Sequence, residues 1–214
     1  LDTSCCWGMK SSLPMARQLG FDVTGADSST DMLMKAKEKD KDSEVDWVLA
    51  DANELAFPNG TFDLVFMSHL LHNVEKPLNA IGECRRVLGS AGVVLVRYGA
   101  MEQIRHDVEH TLFPQVIEID EPRTPTRKLV EGWLNQVGFE GVTSEEVVQQ
   151  TYQTGTEHLD AARAKSTSVL SMISDESFGI GIHSLTEHVE RNPADEWLLY
   201  DRMTLTVGRV SEAR

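Results

Sequence analysis

The sequence predicts an α/β fold in which helices wind around a mostly parallel sheet. Three observations carry that reading. The first 27 residues run as strand, tight turn, helix, strand and terminal acid. An acid closes a second strand at Asp51, and the apolar strand runs Phe62–Met67 and Val93–Val96 are separated by a helical pattern that opens on Pro77. Strands alternating with helices build βαβ crossovers, and ligands of such sheets bind outside the carboxyl ends of the strands, where the strand order switches.

In chain order, Leu1 and Asp2 read as the end of an apolar strand, and Thr3–Gly8 as a turn of small residues. The helix behind it places Leu13, Ala16 and Leu19 on one face. A second strand, Phe21–Ala26, stops on Asp27. A turn of this kind presents backbone N–H groups at a helix N-terminus, and a carboxylate at Asp27 can accept hydrogen bonds from both hydroxyls of a ribose. Taken alone, the unit fits a ligand-free crossover equally well.

The spacing Asp2-x-Ser4-x-Cys6-x-Gly8, followed by Asp27, is similar to the first two motifs of class I S-adenosylmethionine-dependent methyltransferases. That family carries glycine at all three alternate loop positions. Here Gly8 matches, while Ser4 and Cys6 replace the other two. Cys5 fits the cysteine often found between those glycines, and Trp7 stands where a small residue is usual. Glycine permits positive φ and a close approach of backbone to ligand, so Ser4 and Cys6 each add a Cβ where the methionine part of the cofactor would pass. The loop reads as a modified site.

Beyond Asp27, Ser28 is the expected N-cap of a helix that carries Met32, Leu33 and Ala36 inward, and Asp31 sits three residues later. The charged run Lys37–Glu44 reads as a solvated helix end and loop. Val45–Ala50 reads as a short buried strand that ends on Asp51 and Ala52. In the resembled family this acid–alanine pair lies beside the adenine, with the carboxylate accepting the exocyclic amine. The run Leu55-Ala56-Phe57-Pro58-Asn59-Gly60-Thr61-Phe62-Asp63-Leu64-Val65 resembles the family's LPFPDGSFDLV segment, with a Pro-Asn-Gly turn opening a buried strand. Ser68 to Val74, the helix with Leu78, Ile81 and Leu88 on one face, the turn Gly89–Gly92 and the strand Val93–Val96 continue the resemblance. It implies cofactor contacts from Asp2, Ser4, Cys6, Gly8, Asp27, Ser28, Met32, Asp51, Ala52, Ser68 and His69.

The strand mouths hold the remaining candidates. His72 titrates near neutrality and suits a general base or a residue that orients the nucleophile; packing beneath the cofactor is the plainer alternative. Arg97 and Tyr98 end the next strand on the expected substrate side. Tyr98 joins His72 as a candidate for substrate orientation or proton removal. Arg97 and Arg123 are the candidate substrate-binding cations, with pairing to one of the many acids as the alternative for Arg97. His106 and His110 have the i, i+4 spacing of a metal pair but lack the flanking motif of a metallohydrolase, so no metal is expected.

Two excursions interrupt the pattern. The first, about residues 99–125, begins with an expected helix over Met101–Leu112 and resembles an insertion that helps to cover the active site in the family. A helix with Leu129, Trp133 and Val137 inward, Gly138-Phe139 and the strand Val142–Gln149 follow. The second excursion, 154–192, reads as two amphipathic helices split near Ser174-Asp175, with Leu159, Ala162, Val169 and Ile173, then Phe178, Ile182, Leu185 and Val189, as apolar faces. Both excursions are expected to cap the substrate. Trp197–Val210 alternates as a final strand.

The chain has 214 residues, of which 41% are hydrophobic and 25% charged, enough for one domain with a substantial core. Its 34 acids against 20 bases leave a net charge of −14, a field that repels phosphate backbones and anionic lipids. Nucleic acid and membrane partners are therefore not expected. Three cysteines make neither a disulfide framework nor a zinc site, and a reducing cytoplasm is expected. No apolar run approaches the ~20 residues of a membrane span. Leu1 falls at the end of an expected central strand, so a segment upstream of it is expected as well.

The resemblance implies a single domain over 1–214: a three-layer, Rossmann-like sandwich around a seven-stranded, mostly parallel sheet whose last strand is antiparallel, acting as monomer or homodimer. It implies transfer of a methyl group from S-adenosylmethionine to an oxygen, nitrogen or carbon of a small acceptor, leaving S-adenosylhomocysteine. The alternative is a protein that binds either form of the cofactor and has lost catalysis, on account of the altered loop. A nucleotide-dependent oxidoreductase on a similar βαβ unit fits the middle block less well.

Overall fold

A computed structural model describes residues 1–3 and 8–211. The chain divides into two compact units, the first formed by Leu1–Tyr98, Arg127–Glu145 and Thr204–Arg214, the second by Gly99–Thr126 and Glu146–Met203.

The first unit opens with helix α1 (Gly8–Leu19), strand β1 (Val23–Asp27), helix α2 (Thr30–Lys39) and strand β2 (Val45–Leu49). β1 and β2 pair in parallel from Val23 against Val45 to Asp27 against Leu49. A second ladder joins β3 (Phe62–Ser68) in parallel to β4 (Leu88–Tyr98), which follows helix α3 (Pro77–Val87) directly. Between the two ladders lies the segment Leu1–Thr3. The Asp2 N–H donates to Thr24 O at 2.8 Å and Asp2 O accepts from the Ala26 N–H at 2.8 Å; on the other side the Thr3 N–H donates to Phe66 O at 2.9 Å. Leu1 thus lies centrally, as the sequence implied. Among the described residues the expected seven-stranded sheet resolves into six strands, in ladders of two and four, because Asp2 alone forms bridges to both sides and the segment is too short to count as a strand.

Seven α-helices and a 3-10 turn separate the remaining described strands. After α4 (Met101–Ile104), α5 (Val108–Leu112) and α6 (Val116–Asp120) come α7 (Arg127–Val137) and β5 (Glu140–Gln150). Then α8 (Gly155–Arg163), a 3-10 turn (Ser168–Ser171), α9 (Asp175–Arg191) and α10 (Glu196–Leu199) lead to β6 (Tyr200–Arg209). β6 runs antiparallel to β4, with Val93 against Arg209 and Tyr98 against Thr204, and β5 neighbours it at the edge. The antiparallel final strand is as expected, starting after a short helix that takes Trp197–Leu199 out of the strand.

Several local expectations shift. Leu19 is 62% exposed and Phe21 47% exposed, since α1 buries Leu13 and β1 starts only at Val23. Ser29, not Ser28, caps α2 by accepting the Met32 N–H at 3.3 Å. β2 is the edge of its ladder, so only Val45 is fully buried and Leu49 is exposed. In α7 the buried positions are Val130 and Leu134, one residue along from Leu129 and Trp133, and Leu129 is exposed. The expected helix over Met101–Leu112 breaks into α4 and α5, where the His106 and Asp107 N–H groups turn back to Gln103 O and Ile104 O and tighten the last turn of α4.

Asp40 departs furthest from its reading. The charged run around it is solvated, yet Asp40 is 5% exposed. Its carboxylate accepts the N–H groups of Glu44 at 2.9 Å and Val45 at 3.0 Å and the Trp47 indole N–H at 3.0 Å. The Trp47 ring lies over Gly25 of β1; a Cβ on that glycine would sit 2.5 Å from it. Gly25 leaves the space and Asp40 anchors the ring that fills it.

The second unit gathers both excursions around one core of Val108, Phe113, Val116, Leu159, Leu170 and Leu185 with their neighbours. Leu159, Ala162, Val169 and Ile173 are buried as expected, and so are Leu185 and Val189, whereas Phe178 and Ile182 are half-buried. The Phe113 ring packs on Gly181, where a Cβ would stand 2.1 Å from it. Ser174 caps α9 by accepting the Ser177 N–H.

Candidate functional site

The parallel strands β1 and β2 end side by side on Asp27 and Leu49, and the loops that leave them form one wall of an open cleft of about 420 Å³. Asp27, Ser28 and Asp51 supply its polar rim. Ala52, Leu55, Leu70 and Val74 supply an apolar wall, with Thr3 and Asn73 completing it. The Asp27 carboxylate is 9% exposed and takes the Ser29 N–H on Oδ1 at 2.8 Å, which holds it at the strand mouth. Asp51 is held in the same way, accepting the Asn53 N–H at 2.8 Å and the Asn53 side-chain amide at 3.1 Å.

The apolar wall is braced from α3. Arg86 donates to Leu55 O at 2.7 Å, to Phe57 O at 2.6 Å and through Nε to Glu83 at 2.7 Å, while Glu83 accepts the Leu55 N–H at 2.8 Å. The planar guanidinium fork reaches two carbonyls and a carboxylate at once, which an ammonium cannot do. The Pro-Asn-Gly turn follows, with Gly60 at a φ of 68°.

Of the expected cofactor contacts, Asp27, Ser28, Asp51 and Ala52 line this cleft. Asp2 is 1% exposed and accepts the Ser11 and Ser12 hydroxyls at 2.6 Å each, an anchor between the central segment and α1. Gly8 is the first residue of α1, and Met32 is half-buried in the first turn of α2. Ser4 and Cys6 lie outside the described residues.

The mouth of β3 carries Ser68, His69 and His72. His69 adopts a φ of 52°, a left-handed conformation rare outside glycine and a mark of local strain. Burial first, and then the positive charge of Arg97, push its pKa down to about 3, so its ring is neutral. The His69 and His72 rings lie 6.3 Å apart, edge to face. Ser68 is buried and accepts from Arg97 Nη1 at 3.3 Å across the paired ends of β3 and β4. Tyr98 is next to Arg97 in the strand and therefore points to the opposite face. Its ring is 1% exposed and its hydroxyl lies 3.1 Å from Thr206 Oγ1 within the sheet, which removes it from the catalytic candidates. Arg123 belongs to the second unit, where its Nε donates to Asp120 at 2.7 Å. His110 pairs with the same Asp120 at 3.1 Å, and His106 is exposed; among the described residues no group of three ligand-type side chains could hold a metal.

Sequence reasoning missed Leu70, Asn73 and Val74 as cleft residues. Their i, i+3, i+4 spacing in the loop after β3 was the available signal.

The second unit has its own concentration of titratable groups. His158 is 3% exposed, stacks on Tyr152 at 4.2 Å, donates from Nδ1 to Leu198 O at 2.7 Å and faces Glu109 at 3.4 Å through Nε2. Burial opposes the charged ring, but the hydrogen bond and charge of Glu109, with the Leu198 carbonyl, outweigh it and hold the His158 pKa above its usual value. Burial, then the charges of Asp201 and Glu109, push Asp107 up to about 8, against the opposing charges of Arg202 and His158. Both shifts favour the protonated form in the fold. The stabilisation by His158 is present below the ordinary histidine pKa and lost as pH rises through its higher folded value. The penalty from Asp107 grows as pH rises above the ordinary carboxylate value and is complete above about 8. Stability contributed by this cluster is therefore expected to fall as pH rises from about 4 to about 8, and Asp107→Asn to recover about 1 kcal/mol or more at the upper end, measured by denaturant unfolding. An Asp107→Asn chain with the same pH profile as the parent would contradict this.

A family described as a methyltransferase domain matches residues 1–96. The ubiquinone/menaquinone biosynthesis C-methyltransferase of Desulfotalea psychrophila is 40% identical over 70 residues, 33% of this chain and 28% of that one. The phosphatidylethanolamine N-methyltransferase of Cereibacter sphaeroides is 32% identical over 145 residues, 60% of this chain and 62% of that one. The chain thus spans less than two thirds of the length of these curated relatives. Among solved structures, phosphoethanolamine N-methyltransferase 2 of Haemonchus contortus, in complex with phosphomonomethylethanolamine and S-adenosylhomocysteine, superposes with a TM-score of 0.63 at 19% identity, covering 99% of this chain and 48% of that one. At that identity the likeness shows the Rossmann-like α/β fold. Residues 1–96 thus match a methyltransferase domain family, and both the paired acids at the β1 and β2 mouths and the Leu55–Val65 run lie inside the matched segment.

Proposed function

We propose that the chain transfers a methyl group from S-adenosylmethionine to a small-molecule acceptor. The observation that supports it best is the cleft itself: carboxylates at two adjacent strand mouths face an apolar wall, an acceptor set suited to the hydroxyls and amine of an adenosine. Asp27 is assigned to the ribose hydroxyls, Asp51 and Ala52 to the adenine edge, and Leu55, Leu70 and Val74 to its face. When bound, the cofactor supplies an activated methyl group on a sulfonium, a leaving group that needs no protonation.

The protein's own part is positioning and exclusion of water. Asp27 and Asp51 are locked by their own backbone turns, so no reorganisation is required of them on binding. Arg86 and Glu83 hold the Leu55 end of the wall. His69, kept neutral, places no charge where the sulfonium would sit. His72 orients the acceptor, and Arg97 contributes positive potential at the end of β4. The relatives' names cover a carbon acceptor in quinone biosynthesis and a nitrogen acceptor in a phospholipid, so the accepting atom is a carbon, nitrogen or oxygen. The acidic surface suits a small acceptor better than nucleic acid, and a monomer or homodimer is the proposed state. Among the described residues no helix is long and apolar enough to cross a membrane.

Calorimetric titration with S-adenosylmethionine and S-adenosylhomocysteine tests the proposal. Micromolar binding is expected, and a folded chain that binds neither would overturn it. Binding of both without turnover across amine, quinone and hydroxyl acceptors would favour the cofactor-binding alternative suggested by Ser4 and Cys6. His72→Ala is expected to lower turnover roughly tenfold, the worth of one hydrogen bond, while affinity for S-adenosylhomocysteine stays within about twofold. Unchanged turnover would remove His72 from the acceptor site.

A further inference from the structure

The loop that leaves β3 closes on Asn73, whose backbone N–H donates to Leu70 O at 2.8 Å. Asn73 also lines the cleft. Its side-chain Nδ2 donates to His69 O at 3.0 Å, and a carbonyl only accepts, so the orientation of the amide is determined by that bond. The same Nδ2 lies 3.1 Å from His72 Nε2. An amide nitrogen has two hydrogens and no available lone pair, so the second hydrogen meets a ring nitrogen that carries a lone pair. A His72 protonated on Nε2 would set N–H against N–H.

We propose that Asn73 is a positioning residue that holds His72 as the neutral tautomer protonated on Nδ1, so that His72 meets the acceptor as a hydrogen-bond donor and not as a base. The proposal deepens the reading of the cleft as a methyl-transfer site and rests on it for the acceptor. Nε2, the nitrogen with a lone pair, is engaged by Asn73, and Nδ1 already bears its proton. No proton passes to this histidine. The acceptor class that fits is one whose nucleophilic atom has an available lone pair at neutral pH, such as a neutral amine or an ionised oxygen. The same amide ties down the carbonyl of His69, the residue in the left-handed conformation, so one side chain determines both the backbone of one histidine and the proton of the next.

The test is the imidazole tautomer in the ligand-free, ¹⁵N-labelled chain, read from long-range proton–nitrogen correlations, with His72→Gln identifying the resonance by its loss. The expected spectrum shows Nε2 unprotonated and Nδ1 protonated. In Asn73→Asp the carboxylate can only accept, and the proton is expected to move to Nε2. Asn73→Ala, which removes both donors, is expected to leave a mixture. A parent chain with the proton on Nε2, or a tautomer unchanged by both variants, would overturn the assignment. Titration of the parent chain with S-adenosylhomocysteine separates the two claims. Failure of the parent to bind would overturn the cleft reading and the acceptor class with it, while the spectrum still decides the tautomer.

Discussion

Asp27→Ala is expected to weaken binding of S-adenosylhomocysteine by about two orders of magnitude, because hydrogen bonds to a charged group contribute roughly 1.5–3 kcal/mol each and the side chain is assigned to a pair of hydroxyls. The carboxylate closes β1, is almost wholly buried, and is preset by the Ser29 N–H, so little ordering is left to be done on binding. Asp27→Asn keeps an acceptor for that N–H and nearly the same volume but loses the charge, and an intermediate loss is expected. The comparison isolates ligand recognition from the local turn. Calorimetry gives the affinities and thermal unfolding confirms the fold. If the Ala and Asn variants both fold and bind as the parent does, the adenosine does not lie at the mouth of β1.

Asp40→Ala is expected to destabilise the chain by about 2–4 kcal/mol, since three donors lose a buried acceptor and each unsatisfied group costs roughly 1 kcal/mol or more. Those donors are the Glu44 and Val45 N–H groups and the Trp47 indole. Burial alone would raise the Asp40 pKa, but the hydrogen bonds from Glu44, Trp47 and Val45, with the charge of Arg17, hold it below the usual carboxylate value. The stabilisation is accordingly present above the ordinary aspartate pKa and lost as pH falls through the lower folded value. Denaturant unfolding from neutral pH downward should show the parent losing stability over that range, and Asp40→Asn, which no longer titrates, should lose less of it. A cost below about 0.5 kcal/mol for Asp40→Ala would mean that water replaces the carboxylate. Loss of the Trp47 anchor should also free the ring that covers Gly25, so quenching of its fluorescence by iodide should rise.

The features that proved legible in the sequence are those whose causes are local. Asp27 and Asp51 were placed at strand mouths by apolar runs ending on an acid, and both line the cleft. The Pro-Asn-Gly turn, the proline that opens α3 and the Gly138-Phe139 closure of α7 were also legible, because turn and cap chemistry depends on a few adjacent residues. The Leu159–Ile173 face followed from periodicity alone.

What only the tertiary structure decided depends on partners remote in the chain. Strand alternation places Arg97 and Tyr98 on opposite faces, but Tyr98 is committed inward because Thr206, 108 residues away, meets its hydroxyl. Periodicity defined a stripe on α7 without choosing Val130 over Leu129, since the rotation of about 100° between adjacent positions depends on the element it packs against. Asp40 reads as one more charge in a solvated run until Trp47 folds back over Gly25 and gives it three donors in a dry place. Asn73 reads as a loop residue until the turn after β3 brings its amide between His69 O and His72 Nε2. Sequence pattern determined which residues stand at the ends of strands; packing decided which of them face a ligand, because burial and hydrogen bonding are properties of pairs brought together only in the folded chain.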